Sequence, residues 1–303
     1  MNSLRDQQLI VFGCGYVGSV VAAQAQDRGM KVGVLTRNPQ KAAALRAQGL
    51  EVVVADLASD EWHHSFSGDV DFVLNAVSSG GGGLEGYRRS YVAGMQSILR
   101  WASTSAHIGT LVYTSSTSVY PQDGGVVVNE VASTQGAGEL PRVLLEAENL
   151  LRDFVSHPLS KNALARMFIL RLAGIYGPDR EHLVEQVRRG TVSGKTENRL
   201  NLAHRDDIAA AIWSAFNAGP AIEDGIFNVA DDGAAAKGEI VNWLAAEIGV
   251  PAPVFTGAPV AGRRAITPDR IIDNAKLKAV LGWKPQYPTF REGYKNRVAL
   301  DSE

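Results

Sequence analysis

Cysteine is nearly absent from this chain: its 303 residues hold a single one, Cys14. No disulfide can form within it, so the fold must rest on a packed core, and a lone thiol fits a reducing compartment. Nor do the histidines, His63-His64 and His204 among them, stand at ligand spacings that would suggest structural zinc or another metal site. Net charge is only −2, from 30 basic and 32 acidic residues, which leaves no basic field to attract nucleic acid. No run reaches the ~18 apolar residues that a membrane span needs. The opening stretch, MNSLRDQQLIVFGCG, has no basic flank leading into an apolar signal core. These absences lead to the expectation of a cytoplasmic protein that works on a small molecule, with neither nucleic acid nor membrane as partner; a homodimer is left open.

What is present supplies a core, because 45% of the residues are hydrophobic. Short apolar runs at 9–12, 31–35, 51–54, 71–75, 110–114 and 167–171 read as strands. Helix-compatible stretches at 17–28, 41–48, 87–104 and 142–155 lie between them. The alternation implies parallel strands joined by helical crossovers, and nearly unbroken apolarity implies strands covered on both faces. The fold class is therefore α/β, a doubly wound parallel sheet. After position 173 the rhythm loosens. A helix at 206–216, a strand at 226–229, a helix at 238–248 and a proline-rich tail follow, with prolines from Pro251 through Pro259 to Pro288. The expected division is a dinucleotide-binding domain over 1–173, with 205–231 returning to it, and a small lobe of 174–204 and 232–303. That lobe is expected at the carboxyl ends of the strands, where open α/β sheets bind ligands.

Gly13-Cys14-Gly15-Tyr16-Val17-Gly18 is a G-x-G-x-x-G turn between the first strand and the first helix. In that setting Gly13 allows the tight turn, Gly15 admits a pyrophosphate against the backbone, and Gly18 lets helix and strand approach. The helix N-terminus then faces the phosphates. Cys14 reads as a small residue beneath the cofactor. An NAD site of this Rossmann type usually places an acidic residue about 20 positions on. Thr36-Arg37 stands there instead, and no acid lies between Met30 and Glu51. A guanidinium grips a 2′-phosphate that a carboxylate would repel, so NADP is expected ahead of NAD. Asp56-Leu57 would reach the adenine, and Asn75-Ala76-Val77 would pass beside the ribose and pyrophosphate.

The segment 113–120, Tyr-Thr-Ser-Ser-Thr-Ser-Val-Tyr, resembles the Ser-Ser-x-x-Val-Tyr stretch of extended short-chain dehydrogenase/reductases, the NAD-dependent epimerase/dehydratase group. Further likenesses follow in order: Tyr176-Gly177-Pro178, His204-Arg205-Asp206-Asp207, Phe227-Asn228-Val229 and Leu281-Gly282-Trp283-Lys284-Pro285. The resemblance implies a nicotinamide dinucleotide and makes Ser116 the match to the family's catalytic serine. It also implies a Tyr-x-x-x-Lys pair on the next helix, yet alignment through Glu148 sets Leu140 and Leu144 at those positions. None of the eight tyrosines has a lysine four residues on. The segment Pro141–Glu146 is similar to an atypical subgroup without the pair. Arg142 can steady charge there but cannot act as a general acid. Tyr120 and Tyr176 are the candidate replacement donors. Gly80–Gly83 reads either as a flap or as a plain loop, and Arg263-Arg264 either as a phosphate clamp or as a solvated pair. Two functions stay open: an oxidoreductase or epimerase-like enzyme with a rearranged donor, and a non-catalytic dinucleotide-binding sensor or regulator.

Overall fold

The structure is a computed structural model, and it describes residues 4–79, 81–104, 106–257 and 268–299. Gly80, Pro259, Arg263 and Arg264, named above, lie outside the described residues. The chain divides into two units. The first is Met1–Val119, Ala137–Arg171 and Ala211–Phe227; the second is Tyr120–Gly136, Leu172–Ala210 and Asn228–Glu303.

The first unit holds strands β1 (Gln8–Phe12), β2 (Lys31–Thr36), β3 (Glu51–Val54), β4 (Gly68–Asn75) and β5 (Ala106–Ser116). Strands Leu164–Leu172 and Gly225–Val229 complete a seven-stranded sheet on the β5 edge. Its order from that edge is Gly225–Val229, Leu164–Leu172, β5, β4, β1, β2, β3. β1 lies beside β2 and β4, and every ladder among β1–β5 runs parallel. Order therefore reverses at β1, which puts the glycine turn at the switch point where such sheets bind nucleotides. Leu9, Ile10, Val11 and Phe12 are all fully buried, as expected of a strand covered on both faces. Phe12 packs between Trp62 and Trp101, with ring centroids at 4.8 and 5.8 Å, and the Trp101 indole donates to the Phe66 carbonyl at 2.6 Å.

Around this sheet lie helices α1 (Gly18–Asp27), α2 (Pro39–Ala47), α3 (Gly83–Tyr87), α4 (Gly94–Thr104) and α5 (Glu139–Ser156). Asn38 caps α2 by accepting from the Lys41 amide at 3.0 Å, and Pro39 opens its first turn. The single helix expected over 87–104 is interrupted: a π-helical turn, Arg88–Ala93, joins α3 to α4. On α5, Leu144, Ala147, Glu148 and Leu151 face inward. The Glu148 carboxylate accepts two bonds from Arg171, at 3.0 and 2.6 Å, and one from the Ser115 hydroxyl at 2.6 Å.

The second unit has its own core, in which Val184, Val187, Ile240, Leu244 and Phe290 pack together. Its extent differs from the expected division at 120–136, 172–173, 205–210 and 228–231. Strand Val126–Val128 pairs with Arg270–Ile272. The Tyr120 hydroxyl donates to Asn228 at 2.8 Å, and Arg270 donates to the Tyr120 carbonyl at 2.7 Å. Asp207 accepts the amides of Gln286 and Tyr287 at 2.6 and 3.0 Å, and its carbonyl takes the Trp283 indole at 3.0 Å. These bonds tie 120–136 and 205–210 to the C-terminal part of the chain.

Removing one partner of a buried, hydrogen-bonded ion pair typically costs about 3–5 kcal/mol. Glu148→Leu should lower the unfolding free energy by about that amount, with Arg171→Met in the same chain recovering most of it. Denaturant titration of the single and double variants reads both numbers.

Candidate functional site

Three glycines shape the turn after β1, each for a different reason. Gly13 has φ +88°, and a Cβ there would stand 2.5 Å from the Ala76 carbonyl and the Val77 nitrogen. A Cβ on Gly18 would stand 2.4 Å from the Gly13 oxygen, so only glycine lets α1 begin against the turn. Gly15 differs: its nearest neighbour would be the Gly13 oxygen at 3.9 Å, and otherwise it faces open space. Its amide donates to that same oxygen at 2.7 Å, closing the turn. α1 begins without a side-chain cap, so its N-terminal dipole is available to an anion lying over Gly15.

This turn floors a cleft of about 770 Å³, open solvent included, whose walls come from the ends of the next three strands. Gly13, Cys14 and Gly15 line it together with Thr36 and Arg37 after β2, Asp56 and Leu57 after β3, and Ala76 and Val77 after β4. Four expected residues do not line it. Tyr16, Val17 and Gly18 belong to the turn and the start of α1. Asn75 is completely buried, where its side-chain oxygen accepts from the Val77 amide at 3.5 Å and its carbonyl takes the Thr114 hydroxyl at 3.3 Å. Asn75 therefore positions the wall without facing the cleft.

Sequence reasoning missed Lys41 and Ser90, which also line the cleft. Lys41 was legible in principle: it stands four residues after Arg37 and three after the capping Asn38, in the first turn of α2. Arg37 is exposed, and no hydrogen bond holds its guanidinium among the described residues. Asp56 lines the cleft and is also paired within it. Arg89 donates to it from two nitrogens, at 2.9 and 2.7 Å, and the Ala58 amide takes its other oxygen at 2.9 Å, so the carboxylate is already engaged. Burial works to raise the Asp56 carboxyl, but the Ala58 amide, Arg89 and Arg37 together hold it below the usual range. Cys14 is buried, and burial pushes its thiol up despite the field of Lys41. It is a protonated packing residue.

The catalytic candidates fall in both units. In the first, Ser116 ends β5 half-exposed, and its oxygen accepts from the Ser118 amide at 3.1 Å. Arg142 is exposed on α5, a helix with no tyrosine and no lysine, and Leu144 on the same helix is buried. In the second, neither tyrosine suits the donor role expected of it. Tyr120 is 1% exposed, with its hydroxyl committed to Asn228. Tyr176 is 2% exposed between Tyr294 and His204, with centroids at 4.8 and 5.2 Å. Burial, then Asp231 and other neighbours, hold its phenol far above the ordinary range.

His63 and His204 have partners within the fold. His63 sits 3.0 Å from the Ser97 hydroxyl, and His204 stacks on Tyr287 at 3.8 Å. Among the described residues no group of His, Cys, Asp and Glu could hold a metal. No described helix is long and apolar enough to cross a membrane.

A switch-point cleft floored by G-x-G-x-x-G defines a nicotinamide-dinucleotide-binding α/β protein. The NAD dependent epimerase/dehydratase family matches residues 9–230, and the chain belongs to it. A UDP-glucose 4-epimerase of Corynebacterium glutamicum is 25% identical, covering 97% of this chain and 95% of that protein. Among solved structures, a conserved protein of unknown function from Silicibacter pomeroyi is 23% identical, with a TM-score of 0.76 over 98% of this chain and 100% of that one. The UDP-glucuronic acid 4-epimerase of Bacillus cereus, solved with UDP-glucuronic acid and NAD, is 17% identical, with a TM-score of 0.78 over 98% and 99%. The chain is thus epimerase/dehydratase-like.

Because Gly15 faces open space, Gly15→Val should fold normally and lose dinucleotide binding. Circular dichroism and the thermal shift with NADPH separate the two; a shift that survives puts the cofactor elsewhere. In the second unit, burial raises the Asp231 carboxyl to about 7, with Asp232 and Asp207 adding to the shift. The native state therefore binds a proton that the unfolded chain releases near about pH 4. That proton's contribution to stability should fall as pH rises from about 4 to about 7 and level off above, and Asp231→Asn should flatten the slope. Denaturation midpoints across that range measure it.

Proposed function

We propose that the protein is an NADP-dependent oxidoreductase of the epimerase/dehydratase kind, acting on a small molecule with a proton donor other than the usual tyrosine and lysine pair. One observation carries the cofactor choice: Arg37 and Lys41 both line the cleft beyond β2, while the wall's carboxylate, Asp56, is already paired with Arg89. A 2′-phosphate there meets two cations and no unpaired acid. The glycine turn and the start of α1 would hold the pyrophosphate, and the bound dinucleotide would supply or accept a hydride. Ser116 Oγ accepts from the Ser118 amide, which leaves its proton to donate to a substrate oxygen. The substrate is not fixed by these residues; a nucleotide sugar, on which the epimerase relatives act, is one class to test.

A second reading, a dinucleotide-binding sensor without turnover, rests on α5, which has neither a tyrosine nor a lysine. Stopped-flow nicotinamide absorbance against metabolite pools separates the two, since a sensor oxidises no NADPH.

A charge-assisted hydrogen bond contributes about 1.5–3 kcal/mol, and each 1.4 kcal/mol is tenfold in affinity. NADPH should bind at least about tenfold tighter than NADH. Arg37→Asp should erase that preference, and Lys41→Ala should reduce it. Calorimetry with both cofactors measures all three, and equal affinities in the unaltered protein overturn the choice of NADP.

A further inference from the structure

We infer that Arg89, on the π-helical turn, helps set the cofactor preference of this cleft through Asp56, whose carboxylate it neutralises. Arg89 acts from outside: among the described residues the cleft's lining holds Asp56 but not Arg89. This rests on the reading that the cleft takes a nicotinamide dinucleotide carrying a 2′-phosphate. β2 and β3 run side by side with Thr36 opposite Val54, and the Ala55 amide donates to the Thr36 carbonyl at 3.1 Å. The chain therefore leaves these two strands with Arg37 and Asp56 as neighbours, and both line the cleft. A bare carboxylate there would work against the phosphate twice. It would repel the phosphate, and it would compete for the Arg37 guanidinium. With Arg89 in place the acid is offset, and Arg37 and Lys41 both act on the ligand.

Asp56 itself serves the turn after β3. Its Oδ1 accepts the Ala58 amide at 2.9 Å and its carbonyl takes the Ser59 hydroxyl at 3.0 Å, which closes an Asx-type turn. Neither bond uses Oδ2. Arg89 takes that oxygen, with Nε at 2.9 Å and Nη2 at 2.7 Å. The helix that carries Arg89 lies close against this turn. A Cβ on Gly94 would stand 3.1 Å from the Leu57 side chain, so the missing side chain lets the start of α4 close on the residue after Asp56. One residue past Arg89, Ser90 lines the cleft and donates to the Ser79 carbonyl at 3.3 Å. The π-helical turn sends two consecutive arginines to different partners: Arg88 reaches Glu146 of α5 at 2.9 Å, while Arg89 reaches Asp56. Such turns gather at functional sites. The Arg89 side chain is 59% exposed, so its pair adds little to the fold, and its effect on a ligand is electrostatic.

The test is a double-mutant cycle read as a ratio, the affinity for NADPH over that for NADH. Calorimetry measures both in about 10 mM salt, where a Debye length of about 30 Å leaves these charges little screened. Asp56→Asn keeps the turn, because an asparagine oxygen accepts the same amide. Arg89→Ala should lower the ratio about three- to tenfold by weakening NADPH alone, and Arg89→Lys should keep most of it. With Asp56→Asn the ratio should stay at or above that of the unaltered protein. Adding Arg89→Ala to that chain should then lower it by less than about twofold. Equal affinities for the two cofactors in the unaltered protein overturn the NADP reading and this proposal together. A clear preference that Arg89→Ala leaves unmoved overturns the role of Arg89 alone. So does an equal loss for NADPH and NADH, which marks a structural part. A fall of the same size with and without Asp56→Asn also overturns it, because Arg89 would then act on the phosphate directly.

Discussion

The Glu148 carboxylate fixes the first unit more than any other single group. It sits on α5, takes the fork of Arg171 from the strand Leu164–Leu172, and takes the hydroxyl of Ser115 from β5. Three elements thus meet at one buried charge, and its removal would take both of these carboxylate bonds from a buried guanidinium. Such a pair adds little net stability over apolar packing, but it tolerates only one arrangement of its partners. Its consequence is the roll of α5. With Glu148 turned inward, the positions four and eight residues earlier share its face. Those positions are Leu144 and Leu140, so the lack of a tyrosine and a lysine on that face does not come from a rotated helix. α5 itself carries neither residue anywhere along its length.

The cleft shows how an exposed ion pair serves binding without adding much to the fold. Arg89 and Asp56 meet at 2.7 Å, but the arginine side chain is 59% exposed. Pairs so wetted contribute about 0–1 kcal/mol to stability. The pair offsets the charge of the Asp56 carboxylate on the cleft wall. Arg37 and Lys41 act there against a neutral background. Their field is local, because the chain as a whole carries only −2.

The sequence made the sheet legible because each strand is a nearly unbroken apolar run and each crossover has helical period. The roles of Gly13 and Gly18 were legible too, since a Cβ at either would stand 2.4–2.5 Å from backbone atoms and leave room for no other residue, whereas Gly15 faces open space. Other features left no periodic trace. The π-helical turn differs from an α-helix by one residue in one turn, which apolar spacing does not register. The placement of 120–136 depends on bonds such as that between Tyr120 and Asn228, 108 residues apart. Lys41 looked like any solvated residue near a helix start, and only the cleft shows what it faces. Motif position says nothing of burial, and Tyr120 and Tyr176 are both almost wholly enclosed.

That enclosure points to what the recurring motifs encode. Asp207 receives two backbone amides from the 286–287 stretch while its own carbonyl receives Trp283, so His-x-Asp-Asp and Leu-Gly-Trp-x-Pro are two halves of one structural joint. His204 stacks on Tyr287 beside it. Tyr176 closes over Gly293, where a Cβ would stand 1.9 Å from its hydroxyl. Each of these residues spends its polar groups on backbone or on another ring, and is left with little to offer a substrate. Motifs of this kind report the fold strongly because architecture needs all of them at once. A reaction needs only a few groups, and those can migrate between elements that face the same cleft without disturbing the joint. Hence a chain can match its family over residues 9–230 through the residues that its architecture needs, whichever groups face a substrate.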